Sequence, residues 1–306
     1  MNLRQSLDFF AFGCMVFFCL IMASQQVILK AVAHDISPVF QIALRYAIAL
    51  VLLMSLIHIK QAKFSLKPEN RIPAAWIGLL FTLEFLCLGE ALKYTSASHT
   101  IVFLYTSPIF AAIGLHVNIP TERMNGLQWS GILFAFGGIT LAFLGKGDAI
   151  AGMNMILGNA LALLAGAAWG ATTVIVRATG LSTLPARQVL FYQLLMSSVI
   201  LLVWSFWTGQ IHINPTPEVI ASLAFHGIGV AFLGFLLWFW LLTRYQASQL
   251  SILSFMTPVF GVLLGSWWLD EEIQTNFIFG AIMILIGILM VTGHGWITQK
   301  KNQLLR

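Results

Sequence analysis

The sequence predicts an all-α integral membrane protein: ten transmembrane helices forming two inverted five-helix repeats around a central cavity. Three observations carry that reading. First, the 306 residues are 59% hydrophobic and 9% charged, where a soluble domain carries roughly 25% charged residues; mean hydropathy is +0.88. Second, the chain holds ten apolar runs of spanning length, a membrane helix needing about 20 such residues. Third, its second half repeats its first. A soluble chain of this size could not cover so much apolar surface, so lipid must be the solvent for most of it.

The runs fall at 9–29, 38–58, 75–92, 97–117 and 126–144, then 155–176, 186–207, 219–241, 247–269 and 276–296. The first is too long for a signal-peptide core, and no small-x-small cleavage site follows it. The connections are short, the longest lying around 59–74, and leave no segment for a soluble domain. The loops orient the bundle. With the N-terminus in the cytoplasm, twelve of the sixteen Lys and Arg fall on the cytoplasmic side. Lys30, Lys93 and Lys146 lie opposite, and Arg45 lies inside the second run. Positive residues stay inside, which predicts a multi-pass protein of the plasma (inner) membrane with both termini cytoplasmic. The net charge of +5 is then a matter of topology, and no nucleic acid partner is expected. Cys14, Cys19 and Cys87 lie in apolar runs without metal-ligand spacing and read as packing residues.

Shifting the chain by 150 residues lays "ASHTIVFLYTSPIF" (97–110) on "ASQLSILSFMTPVF" (247–260), so that Ala97, Ser98, Pro108 and Phe110 meet Ala247, Ser248, Pro258 and Phe260. A shift of 147 lays "VILKA" (27–31) on "VIVRA" (174–178), Pro38 on Pro185 and Gln41 on Gln188. The units are 9–146 and 153–296, each with five runs. An odd number makes the second copy enter from the opposite face, and inverted repeats characterise carriers that expose one central site to each side in turn.

"ALKYTSASHTIVFLYTSPIF" and "LTRYQASQLSILSFMTPVFGVLLG" resemble the paired signature segments of EamA-type permeases of the drug/metabolite transporter superfamily. "AAWGATTVIVRA" (167–178) looks like that family's sixth helix. The resemblance spans nearly the whole chain. It implies ten helices, a central cavity and secondary-active movement of a small organic substrate, often export of amino acids or other metabolites. One departure is Met22-Ala23, where the family often has Trp-Gly; Trp169-Gly170 keeps that pair in the second copy.

Buried polar residues are the candidate site, because a charge at the bilayer centre costs at least ~2.5–3.5 kcal/mol on insertion scales. Glu90 lies three residues before Lys93, close enough to pair along the helix near its outer end. Glu84 is six residues deeper, ~9 Å along the axis and ~240° around it, so the two carboxylates need not share a task. Arg45, seven residues into the second run, comes to a similar depth. Three readings stay open: a permanent Arg45–Glu84 ion pair joining two helices, a charge pair lining the substrate site, or loose packing of Arg45 against carbonyls or lipid headgroups. In the second, Glu84 is also the proton-coupling candidate, since burial favours a neutral carboxyl and a nearby arginine favours the charged form.

Gln25, opposite Thr172 in the repeat, is a further substrate-binding candidate. So are His99, opposite Gln249, and the aromatic side chains of Tyr105, Trp169, Tyr192 and Trp240. For His99 a satisfied interfacial role, and for the aromatic residues ordinary packing, compete with that reading. Pro108 and Pro258 sit mid-run and should kink their helices. "GAAWG" (166–170) and "GVLLG" (261–265) read as tight packing within the bundle, and "DEE" (270–272) as a solvated loop. Runs one, three, four, six, eight and nine should line the cavity. Runs five and ten, almost without polar side chains, should lie at the periphery against lipid or a second copy in a homodimer. No cofactor or metal is expected. A Walker loop, HExxH and GxSxG are all absent from the sequence, which leaves ATP-driven transport and an intramembrane enzyme without support. A passive channel or facilitator for small polar solutes remains the alternative.

Overall fold

The computed structural model describes residues 8–61, 67–120, 124–143, 149–245, 250, 253–254 and 256–304. They are largely helical: α1 (Phe9–Ala31), α2 (Pro38–Ile59), α3 (Arg71–Tyr94), α4 (Ala97–Leu104), α5 (Ser107–Asn118), α6 (Gly126–Phe143), α7 (Ala149–Ala178), α8 (Ala186–Trp207), α9 (Pro217–Ala224), a π-helical segment (Phe225–Gly234), α10 (Phe235–Arg244), α11 (Met256–Trp268) and α12 (Thr275–Leu304). Among the described residues there is no strand, and Ile36 and Ile213 form one isolated bridge. Among the described residues seven helices, counted with the turns that extend them, are long and apolar enough to cross a membrane; Gly126–Leu141 and Thr275–Met290 are shorter apolar helices. Large apolar side chains such as Phe17, Val51, Val203 and Leu263 are exposed, as a lipid solvent permits.

The helices begin where the sequence supplies caps. Asp8 accepts from the amide of Ala11 at 2.7 Å, and Thr216 from that of Val219 at 3.3 Å. Pro38 and Pro217 stand in first turns, where a missing N–H costs nothing.

Contacts sort the chain reversals onto two ends. At one end, Asn214 N donates to the carbonyl of Asp35 at 2.8 Å, Gln210 meets Ser37 and Lys93, and Glu271 meets the start of α4. At the other, Tyr245 donates to Asp8 at 3.1 Å and Gly180 sits against Asn70. The path therefore alternates between the ends.

The fourth run is not one kinked helix but two. α4 stops at Leu104 and α5 starts at Ser107, with Pro108 in its first turn. Proline cannot donate to the carbonyl four residues back, and the break at Tyr105–Thr106 is the result. Gly166 of α7 is what lets the neighbouring helix reach the break. A Cβ there would stand 2.8 Å from the carbonyl oxygen of Phe103 and 2.9 Å from that of Leu104. Gly170 fits against Ser107 and Ala111 in the same way. Pro258 lies in the first turn of α11. Gly261 and Gly265 of that helix pack on Ile101 and Ser98. Both small-residue patterns thus serve packing inside the bundle.

α6 and α12 pack chiefly on one another. Gly138 meets Gly280 and Met283, and Gly287 meets Gly131 and Ala135. Leu133, Phe134, Phe136, Ile278, Phe279 and Ile282 stay exposed. This is the peripheral placement expected for runs five and ten.

Candidate functional site

Side chains of α1, α2 and α3 converge on Arg45, which is 2% exposed. Its Nη1 donates to Gln25 Oε1 of α1 at 3.1 Å and its Nη2 to the hydroxyl of Tyr46 at 2.9 Å. Its guanidinium carbon lies 4.7 Å from the centroid of the Tyr46 ring and 4.9 Å from that of Phe85, within cation–π range. Tyr46, Phe81 and Phe85 pack with centroids 4.8 to 5.3 Å apart, Phe85 edge-on to both others, and fill the space between α2 and α3. Glu84, 4% exposed, feels the charge of Arg45.

The permanent ion pair, one of the open readings, does not form: among the described residues no carboxylate oxygen comes within 4.0 Å of Arg45. The reason lies in the competing partners. Gln25, Tyr46 and two ring faces already hold the guanidinium. Arg45 Nε and Glu84 Oε2 are both buried without a hydrogen-bond partner. Glu90 and Glu84 do differ in their surroundings. Lys93 donates to both oxygens of Glu90 at 2.8 Å, and Gln210 Nε2 donates to one of them at 3.0 Å. Since both partners keep contact with the surface and Gln retains an acceptor, Glu90→Gln should cost less than about 1 kcal/mol. A melting-temperature comparison in detergent checks this.

The other candidates separate. Tyr105 stands at the α4–α5 break, edge-on to Trp169 at 5.4 Å, close to Thr257 and within the field of Glu84; these join the centre. Thr172 is buried and bonds back to the carbonyl of Ala168 at 3.0 Å. His99 lies toward the end of the bundle that carries Glu271. It stacks on Phe277 at 3.8 Å and bonds Asn159 at 3.0 Å, the satisfied role that competed for it. Tyr192 accepts from Gln188 at 2.8 Å and packs with Ile77 and Leu181, away from Arg45. Trp240 sits under Arg244 at 4.8 Å and against Phe10, also away from it. Gln249 lies outside the described residues.

Two cavities, of about 390 and 340 Å³, flank Lys30 at the Glu271 end, and neither is lined by Arg45 or Glu84. The aromatic side chains close the centre in this conformation. Here the reading of 270–272 as a solvated loop needs correction. Glu271 Oε1 accepts from the amide of Ala97 at 2.6 Å, and Oε2 from the amide and hydroxyl of Ser98 at 3.0 and 2.5 Å. On the other side of the Thr95–Ser96 reversal, Lys30 Nζ donates to the carbonyls of Leu92 and Thr95. A cation thus takes the free carbonyls ending α3 and an anion the free amides starting α4. Asp270, with φ of +51°, turns the chain so that Glu271 reaches them. His226 and Tyr46 were missed as well. For His226 the signal was present: it lies inside its run nine residues after Pro217, much as Arg45 follows Pro38.

The sequence profile of the EamA-like transporter family matches twice, over residues 9–144 and 156–293. The chain belongs to the EamA-like transporter family. An uncharacterized transporter of Bacillus subtilis (strain 168), YoaV, is 29% identical over 268 residues, covering 87% of this chain and 91% of the relative. A probable amino-acid metabolite efflux pump of Escherichia coli (strain K12) is 23% identical over 284 residues, covering 88% and 91%. One crystal structure superposes with a TM-score of 0.63 at 19% identity, covering 92% of this chain and 95% of the other; that likeness concerns the fold alone. As an EamA-like transporter the chain is a multi-pass membrane protein, and its family and relatives are named for transport, not catalysis.

Proposed function

We propose that this EamA-like transporter is a secondary-active carrier that exports small organic metabolites, amino acids among them, by alternating access. The observation that carries the reading is the pair of unpartnered buried atoms, Arg45 Nε and Glu84 Oε2. Opposite charges left incompletely paired inside a membrane bundle are costly and mark solute or ion pathways. A solute with both anionic and cationic groups would satisfy both. The centre is closed by Tyr46, Phe81 and Phe85, so loading it requires helices to move, as a carrier does. The name of the E. coli relative supports the direction and the solute class. Glu84 is the proton-coupling group in this reading, and the exposed face of α6 and α12 meets lipid or a second copy.

The two matches of the family profile support two five-helix repeats, and the distribution of Lys and Arg supports cytoplasmic termini. With Cys14, Cys19 and Cys87 replaced, single cysteines at Ser65 and Asn302 should react from the cytoplasmic side and one at Asp148 from the outside. If 65 and 148 react from the same side, the inverted arrangement is wrong.

A thermal-shift screen against amino acids, sugars, nucleosides and cationic drugs selects solutes, because a ligand of the folded state raises its melting temperature. Counterflow then tests the mechanism. Preloaded proteoliposomes should take up labelled solute faster than empty ones. Flux without that acceleration would mean a channel.

A further inference from the structure

His226 lies in the first turn of the π-helical segment Phe225–Gly234, a widened turn of the kind that recurs at functional positions. Its ring is fully buried and joins three parts of the bundle. Nε2 lies 2.9 Å from the backbone carbonyl of Gln25 on α1. A carbonyl only accepts, so this bond forms with the proton on Nε2. Nδ1 lies 2.7 Å from the Ser222 carbonyl and 3.2 Å from the Ser222 hydroxyl. That hydroxyl receives in turn from Gln41 Nε2 of α2, which lies 3.4 Å from Nδ1.

Gln25 is the hinge of the arrangement. The ring holds its backbone carbonyl, and its side-chain oxygen accepts from Arg45 at 3.1 Å. α1 touches α2 sparsely along its length, so this residue is where the two helices are tied beside the guanidinium. An apolar side chain at 226 would fill the same space without tying them. We propose that His226 is a positioning residue of the solute site: by clamping Gln25 it fixes where the Arg45 guanidinium points, and hence how tightly the anionic group of a solute is held. The proposal rests on the reading of the Arg45–Glu84 centre as the solute site.

The test uses the full chain in proteoliposomes and a solute that the wild type carries in counterflow. His226→Gln places an amide nitrogen where Nε2 sits and keeps the donor to Gln25. His226→Asn reaches only as far as Nδ1, and His226→Phe keeps volume without donors. KM should rise about tenfold in the Asn and Phe variants, equivalent to about 1.4 kcal/mol, with the maximal rate nearly unchanged, and the Gln variant should stay near the wild type. A Gln variant as impaired as Phe, or an unchanged KM in Phe with only the melting temperature lowered, overturns the proposal. If the wild type shows no counterflow, the carrier reading falls, and the clamp is read from melting temperatures instead. The shifts of His226→Phe and Arg45→Gln should then be non-additive in the double variant; additive shifts overturn it.

Discussion

Glu84→Gln is expected to abolish the pH dependence of transport while leaving the protein inserted and folded. The amide matches the carboxylate in shape, and the fold does not rely on a Glu84–Arg45 contact, because no such ion pair exists. Arg45 keeps Gln25, Tyr46 and the faces of Tyr46 and Phe85. Only the proposed proton-coupling group is lost. Arg45→Ala should behave differently. It removes those contacts, where hydrogen bonds to a charged group contribute about 1.5–3 kcal/mol each, and leaves the buried carboxylate of Glu84 without the nearby charge that favours it. Combining Arg45→Gln with Glu84→Gln should restore much of that stability, since no buried charge remains, but not the coupling. Transport at two pH values, with a melting curve for each variant, separates these outcomes. Normal transport by Glu84→Gln with an unchanged pH profile would make the carboxylate a structural group.

Glu271→Ala should lower stability by about 3 kcal/mol, because hydrogen bonds to a charged group contribute about 1.5–3 kcal/mol each and do not add fully. Three donors at the start of α4 lose their acceptor together. The side chain is half-buried there, and Gly265 packs directly against it, so water cannot replace all three bonds at once. Glu271→Gln should lose less, since its oxygen still accepts while its nitrogen faces donors. Glu272 is exposed, and Glu272→Ala is the control, within about 0.5 kcal/mol of the wild type. Thermal melts of the three variants in one detergent decide it. A Glu271→Ala protein that melts with the wild type would show that the cap contributes nothing.

The elements legible along the chain were those whose cause is local. Twenty apolar residues make a spanning helix whatever surrounds them. Glu90 and Lys93 meet because three residues of helix bring them together. Pro108 interrupts its run because its own ring excludes a backbone hydrogen bond. The repeat offset, the family resemblance and the poor polarity of runs five and ten are equally properties of the sequence. The tertiary structure alone decided which face of each helix meets which neighbour. In a soluble bundle an apolar stripe announces the inward face. Here lipid is as apolar as the interior, so that signal is weak, and glycines such as Gly166, Gly170 and Gly287 determine the close approaches instead. Helix rotation therefore separated Tyr192 and Trp240 from the centre and brought His226 into it. It also gave Arg45 to Gln25 and Tyr46 rather than to Glu84, and let Glu271 cross between distant parts of the chain to cap α4. Position along each helix could be counted from the sequence; azimuth around each helix could not, because only the packing of side chains from other helices determines it.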